Sequence, residues 1–108
     1  MARILVVEDD TDQLNLRKQL LEHAGHDVVS AETAEDAIQH LPGCQVVVMD
    51  LQIPTREAGL QLIQAASGSA RIIVLSGSAA DSELPVDEFL TKPCPSKRLL
   101  EAIAKVTG

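Results

Sequence analysis

The chain has 108 residues, 45% of them hydrophobic and 23% charged, which suits one soluble domain over 1–108 with a single core and is too apolar for a disordered tail. Its formal net charge of −7 sets the overall field against direct nucleic-acid or anionic-membrane binding, because phosphates are repelled. The opening apolar run is interrupted at Glu8 and no stretch of membrane-spanning length follows, so neither a signal peptide nor a membrane segment is expected and the cytoplasm is the default location.

The first element is a strand at Ile4 to Val7, an apolar run that leads straight into Glu8, Asp9 and Asp10. From Thr11 to Ala24, the residues Leu16, Leu20 and Ala24 recur at four-residue spacing with Leu21 beside them, predicting a helix that Gly25 stops. A second strand falls at Val28 and Val29. Thr33 with Asp36 three positions on has the form of a capping box, opening a short helix through Ile38 that Pro42 and Gly43 close. Val46 to Met49 is the third strand and runs into Asp50, and Gly59 to Ala66 is the next helix, carrying Leu60, Leu62 and Ile63. Ile72 to Leu75 is the fourth strand, followed by Ser76, Gly77 and Ser78. A weaker strand around Phe89 and Leu90 ends in Lys92 and Pro93. Pro95 and Ser96 then open a last helix with Leu99, Leu100 and Ile103 on one side.

The connection from the fourth strand to the fifth is short, with ten residues from Gly77 to Val86. A parallel crossover with its helix takes at least about 10 to 12 residues. Pro85 forbids helix continuation and pushes Leu84 toward an extended conformation. At most about one to two turns of helix are expected within Ser78 to Leu84.

Alternation of strands and helices predicts an α/β fold with a mostly parallel, doubly wound sheet. The length excludes a (β/α)₈ barrel. The first, third and fourth strands are continuously apolar, as strands covered on both faces are. In such sheets chemistry sits beyond the carboxyl ends of the strands. There the sequence places Glu8, Asp9 and Asp10 after the first strand, Asp50 after the third, Ser76 after the fourth and Lys92 after the fifth. Close carboxylates must share a proton, take raised pKa values or hold a cation, and an all-oxygen set favours Mg²⁺ or Ca²⁺. Cation, nucleophilic carboxylate, hydroxyl and lysine together are what phosphoryl transfer to an aspartate requires.

Four segments in order, Ile4-Leu5-Val6-Val7-Glu8-Asp9, Val48-Met49-Asp50 with Pro54 four residues on, Val74-Leu75-Ser76-Gly77 and Phe89-Leu90-Thr91-Lys92-Pro93, resemble the response-regulator receiver family over essentially the whole length. The resemblance implies a flavodoxin-like five-stranded sheet in the order 2-1-3-4-5 with flanking helices, the fourth of them shortened or absent here. It implies that Asp50 accepts a phosphoryl group from a sensor histidine kinase or phosphotransfer protein, switching a surface read by an output partner or domain. Mg²⁺ or Mn²⁺ would be held by Asp9, Asp50 and the carbonyl of Gln52, with Glu8 as a further metal-site residue. Ser76 would be the switch hydroxyl, Lys92 the phosphoryl partner and Phe89 the switch aromatic, while Gln52 and Ser78 would border the path of the hydrolytic water. One departure from the family pattern is Gly59, which comes one residue late, so the loop after Asp50 is expected to be longer by one.

Taken singly, each of these residues has a plainer reading: an acidic run at a strand end is usually solvated or complements a helix dipole, and Asp10 is read that way. Lys92 alone would be a snorkelling lysine, Ser76-Gly77 a turn and Phe89 core. His23, His26 and His40 fall away from the acids and are read as surface residues. Cys44 and Cys94 lack metal or redox spacing and are read as reduced bystanders. Two other functions compete. A phosphorylation-independent pseudo-receiver would be expected to lose the acceptor, an acid or the lysine, and none is lost. A phosphatase-type hydrolase with an Asp nucleophile would want a second acid two residues later, where Gln52 stands.

Overall fold

Residues 2–78 and 84–107 are described by the computed structural model. The elements in chain order are β1 (Arg3–Val7), α1 (Thr11–His23), β2 (Asp27–Ala31), α2 (Ala34–His40), β3 (Val46–Asp50), α3 (Arg56–Ala66), β4 (Arg71–Ser76), β5 (Glu88–Thr91) and α4 (Ser96–Thr107). All strand pairings are parallel, in the order β2-β1-β3-β4-β5.

The continuous apolar runs follow from burial on both sides of the sheet. Leu5, Val7, Val47, Met49, Ile72 and Val74 meet Ala34 and Ala37 of α2 and Leu62, Ile63 and Ala66 of α3. Their neighbours in sequence, Ile4, Val6, Val46, Val48, Ile73 and Leu75, meet Leu14 and Leu21 of α1 and Leu99, Ala102 and Ile103 of α4. Successive strand side chains point to opposite faces, so a strand between two helical layers has no polar position to alternate with.

Helix ends are set by local chemistry. Asp10 caps α1, its carboxylate accepting the N–H groups of Asp12 and Gln13 at 3.0 and 3.3 Å. At the other end Gly25 takes a φ of +98°, and the N–H groups of Gly25 and His26 donate to the carbonyls of Glu22 and Leu21, a Schellman closure. Thr33 caps α2 through the Asp36 N–H. The third helix begins three residues before the expected Gly59, at Arg56, because the Thr55 hydroxyl accepts the Ala58 N–H.

The buried stripe of α1 differs from the expected one. Leu14 and Leu21 are buried, whereas Leu16 is 59% exposed and Ala24 is exposed. Leucines at 14, 16, 20 and 21 span more than one helix face, and the docking of the helix on β1 chooses among them. The connection from β4 to β5 runs from 77 to 87, one residue longer than expected because β5 starts at Glu88. Leu84 to Asp87 are non-helical, with Leu84 and Val86 packed on the core. Among the described residues four helices flank the sheet and none stands between β4 and β5. The short helix expected within Ser78 to Leu84 lies mainly on residues outside those described. No helix of the described residues is long and apolar enough to cross a membrane.

Candidate functional site

Because every strand runs the same way, all carboxyl ends share one edge, and the sheet order sets the site's sequence of side chains across it. Glu8 and Asp9 follow β1, Asp50 ends the adjacent β3, Ser76 ends β4, and Lys92 follows β5. Register keeps these ends level: Val7 pairs with Met49, Asp50 with Leu75 and Ser76 with Thr91. The chain leaves β1 toward β2 on one side and returns at β3 on the other, so the acids sit at the switch point of strand order, where open α/β sheets bind ligands.

A cleft of about 420 Å³ at this edge is lined by Asp9, Asp50, Gln52, Ser76, Ser78 and Lys92, together with Leu51, Pro54 and Gly77. At its centre the Lys92 ammonium donates to Asp50 Oδ2. The other carboxylate oxygen, Oδ1, accepts the Gln52 N–H at 3.2 Å. Both oxygens of Asp50 are thereby oriented. Ser76 is buried, and its Oγ accepts the Ser78 N–H at 3.1 Å. The Lys92 N–H donates to the Ser76 carbonyl at 2.8 Å, tying the lysine's backbone to the end of β4.

The loop that carries Asp50 is held from beneath. Leu51 and Ile53 are buried, and the Ile53 carbonyl accepts the Ala34 N–H at the start of α2. Gly59 of α3 lies against the backbone of Leu51, so closely that a Cβ there would fall 1.8 Å from the Leu51 carbonyl oxygen. The glycine singled out for its position in the sequence is thus needed for contact with the residue directly after Asp50.

Glu8 is placed differently from Asp9 and Asp50. It is 3% exposed and turns toward α1, where Arg17 Nη1 donates to its Oε1 at 3.2 Å, while the Asp9 N–H donates to its Oε2 at 3.0 Å. Burial pushes its carboxyl above the ordinary value, opposed by Arg17 and reinforced by the nearby Asp50 charge. Among the described residues no three His, Cys, Asp or Glu side chains converge as a cation site, so the gathering of carboxylates expected from the sequence is narrower than the strand ends suggested. Arg17 was missed by reading the sequence. It lies between Leu14 and Leu21, and choosing those two as the buried stripe of α1 would have turned it inward.

Phe89 is partly buried against the core layer that also holds Leu84 and Val86. His23 and His40 are exposed, whereas His26 is half-buried and its Nδ1 accepts the Ala2 N–H at 3.2 Å, so the surface reading fails for it. Burial raises the pKa of both free thiols, Cys44 and Cys94, the opposite of an activated cysteine. Another cleft, near 830 Å³, lies at the far edge of the sheet around Ala2, Gln45 and Asp87, away from these carboxylates.

The chain belongs to the response regulator receiver domain family, whose model matches residues 4–104. It is similar to the protein PilH of Pseudomonas aeruginosa, at 33% identity across 98% of each chain. It is also similar to the transcriptional regulatory protein CpxR of Escherichia coli, at 28% identity over 98% of this chain and 49% of CpxR. Alongside the full-length match to PilH, the chain spans about half the length of CpxR and 13% of the sensor protein GacS of Pseudomonas syringae, which it matches at 31% identity. Among solved structures, a CheY-like receiver domain protein of Methanospirillum hungatei superposes with a TM-score of 0.85 at 28% identity, covering 99% of this chain and 94% of that one. The chemotaxis response regulator CheY4 of Vibrio cholerae shares the fold, with a TM-score of 0.84 at 21% identity over 98% of both chains. The protein is therefore a receiver domain of the kind used in two-component signalling.

Proposed function

We propose that this domain accepts a phosphoryl group on Asp50 from the phosphohistidine of a partner kinase or phosphotransfer protein, and that the modified site switches a surface read by an output partner. The observation that carries this reading is the pairing of Lys92 with an Asp50 carboxylate oriented on its second oxygen by Gln52. In the transfer, a carboxylate oxygen of Asp50 forms the new O–P bond as the donor's N–P bond breaks, and the electron pair of that bond stays on the departing imidazole. Lys92 releases the attacking carboxylate and follows the negative charge onto a phosphoryl oxygen. The Ser76 hydroxyl lies one strand away to donate to another.

The donor set fits a divalent cation. Asp9, Asp50 and Gln52 face the same cleft with oxygen donors and no histidine or thiolate, a set suited to Mg²⁺ or Mn²⁺. The Asp9 and Asp50 carboxylates and the Gln52 carbonyl would hold it, with Glu8 as a further acid behind them. Such an ion supplies neutralisation of the phosphoryl oxygens and orientation of the donor.

Intact-mass analysis after incubation with a small phosphodonor and Mg²⁺ tests the assignment. One phosphoryl group is expected on the wild-type chain and none on Asp50→Ala or in EDTA. A phosphate that persists in Asp50→Ala refutes Asp50 as the acceptor, one that forms equally well in EDTA refutes the cation's part, and none on the wild-type chain leaves a phosphorylation-independent binding module as the reading.

A further inference from the structure

Of the three acids expected around a cation at this edge, Glu8 is absent from the walls of the Asp50 cleft, whereas Asp9 and Asp50 both line it. Its side chain opens instead on a neighbouring cleft shared with Arg17, Leu16, Leu20, Pro93 and Cys94. Both its oxygens are occupied, by the Arg17 guanidinium at 3.2 Å and by the Asp9 N–H at 3.0 Å. The ion pair is well shielded, with side chains 14% exposed at Arg17 and 4% at Glu8. A pair so shielded is hard to break from one side, because the partner left behind is a buried, unpaired charge. Yet Glu8 stays within electrostatic reach of Asp50 and Lys92, close enough to matter to a cation there.

Resting on the receiver reading above, we propose that Arg17 is a positioning residue that withholds Glu8 from the divalent cation, so that the guanidinium and the cation compete for one carboxylate. Arg17 is fixed for this role by its helix. Asp10 caps the first turn, Leu14 and Leu21 bury the face on either side, and residue 17 on that face points back to the end of β1. The coupling is reciprocal, as linkage requires: the pair weakens cation binding, and a bound cation loosens the pair. Cation affinity in this domain is thereby set lower than its count of acids implies, and phosphorylation responds to Mg²⁺ at higher concentration.

The test is a calorimetric Mg²⁺ titration of the whole chain as wild type, Arg17→Gln, Glu8→Gln and the double variant. Arg17→Gln is expected to bind about tenfold more tightly, the size typical of changes behind the direct ligands. Glu8→Gln is expected to cost about tenfold in the Arg17→Gln background and markedly less in the wild-type background. Removal of a positive charge alone would tighten binding with the same Glu8 cost in both backgrounds, and that result overturns the proposal. Wild-type binding with equal Glu8 costs defeats this inference alone, whereas no Mg²⁺ binding by the wild-type chain defeats the cation site and this inference together. Should Arg17→Gln fail to fold by circular dichroism, the Arg17 Nε–Hε resonance of the wild type is followed through the titration. It is expected to move saturably with Mg²⁺, and a resonance unmoved at saturation overturns the proposal.

Discussion

The Asp10 carboxylate accepts two N–H groups at the start of α1, which leaves its neighbour Asp9 as the acid exposed to the cleft. The two therefore separate stability from cation binding. Asp10→Ala should lower unfolding free energy by about 1 kcal/mol, as for a lost helix cap, and leave Mg²⁺ affinity nearly intact. Asp9→Ala should abolish measurable Mg²⁺ binding at little cost to the fold. Urea titration and calorimetry on both variants check this, and equal losses of affinity would show that the facing is wrong. Glu8 carries a pH dependence. Burial raises its carboxyl above the ordinary 4.5 despite the pull of Arg17, so the folded chain holds that proton more tightly than the unfolded chain. Below 4.5 both forms are protonated and the burial costs nothing. As pH rises through the folded pKa, the full cost of the buried charge appears. Leaving Arg17 unpaired lowers the Tm of Glu8→Gln outright, so the buried charge is read from the pH trend: in the cation-free protein the Tm difference between Glu8→Gln and wild type should move in the variant's favour as pH rises above 4.5. A difference that is the same at every pH would rule out the buried charge as its source.

Among the elements, α3 bears most directly on the acceptor loop. Thr55 starts the helix, and Gly59, one turn in, rests on the Leu51 backbone. The Cβ added by Gly59→Ala would lie 2.8 Å from the Leu51 carbonyl carbon as well as 1.8 Å from its oxygen, and backbone cannot swing aside as a side-chain tip can. The helix or the loop must shift, at a cost of about 1–3 kcal/mol typical of overpacking. Because Leu51 follows Asp50, the same substitution should slow phosphorylation by a small phosphodonor, although residue 59 lies outside the cleft lining. Chemical denaturation with a rate measurement on one variant checks both, and a full rate beside lost stability would show that α3 moves and the loop does not. The start of β5 is likewise fastened by one side chain. Asp87 accepts the Ile72 N–H at 2.7 Å and the Arg71 guanidinium at 3.3 Å, while its own N–H donates to the Ile72 carbonyl.

For the molecule as a whole, net charge and site chemistry act together. A chain of net charge −7 repels itself, and the Asp9 and Asp50 carboxylates add to that repulsion at one sheet edge. A cation that binds only the folded state stabilises it by mass action, about 2.7 kcal/mol at a hundred times its Kd. The Tm should therefore climb with Mg²⁺ in the wild type and stay flat in Asp9→Ala, apart from a screening effect that an equal ionic strength of NaCl reproduces. Thermal scans in the two salts measure it. A rise of equal size in both salts would show that screening, not a site, is responsible.

Fold class and strand positions were legible in the sequence for a physical reason: strands buried on both faces must be apolar throughout, and Ile4 to Val7, Val46 to Met49 and Ile72 to Leu75 satisfy that condition locally. The site's members were legible because parallel strands place every carboxyl end on one edge, which gathers Asp9, Asp50, Ser76 and Lys92 from their places in the chain alone. Strand order was legible only through family resemblance, since nothing in a strand's own residues names its neighbour. Thr55 as the start of α3 was overlooked although a capping threonine is a local signal. Other features depended on packing between distant segments. The inward face of α1 was chosen by docking on the sheet, leaving Leu16 outside and turning Arg17 toward Glu8. A carboxylate's partner depends on which guanidinium or ammonium reaches it first in space. Sequence alone could therefore place Glu8, Asp9 and Asp50 at one edge, and only the tertiary structure could assign Glu8 to Arg17 and Asp50 to Lys92.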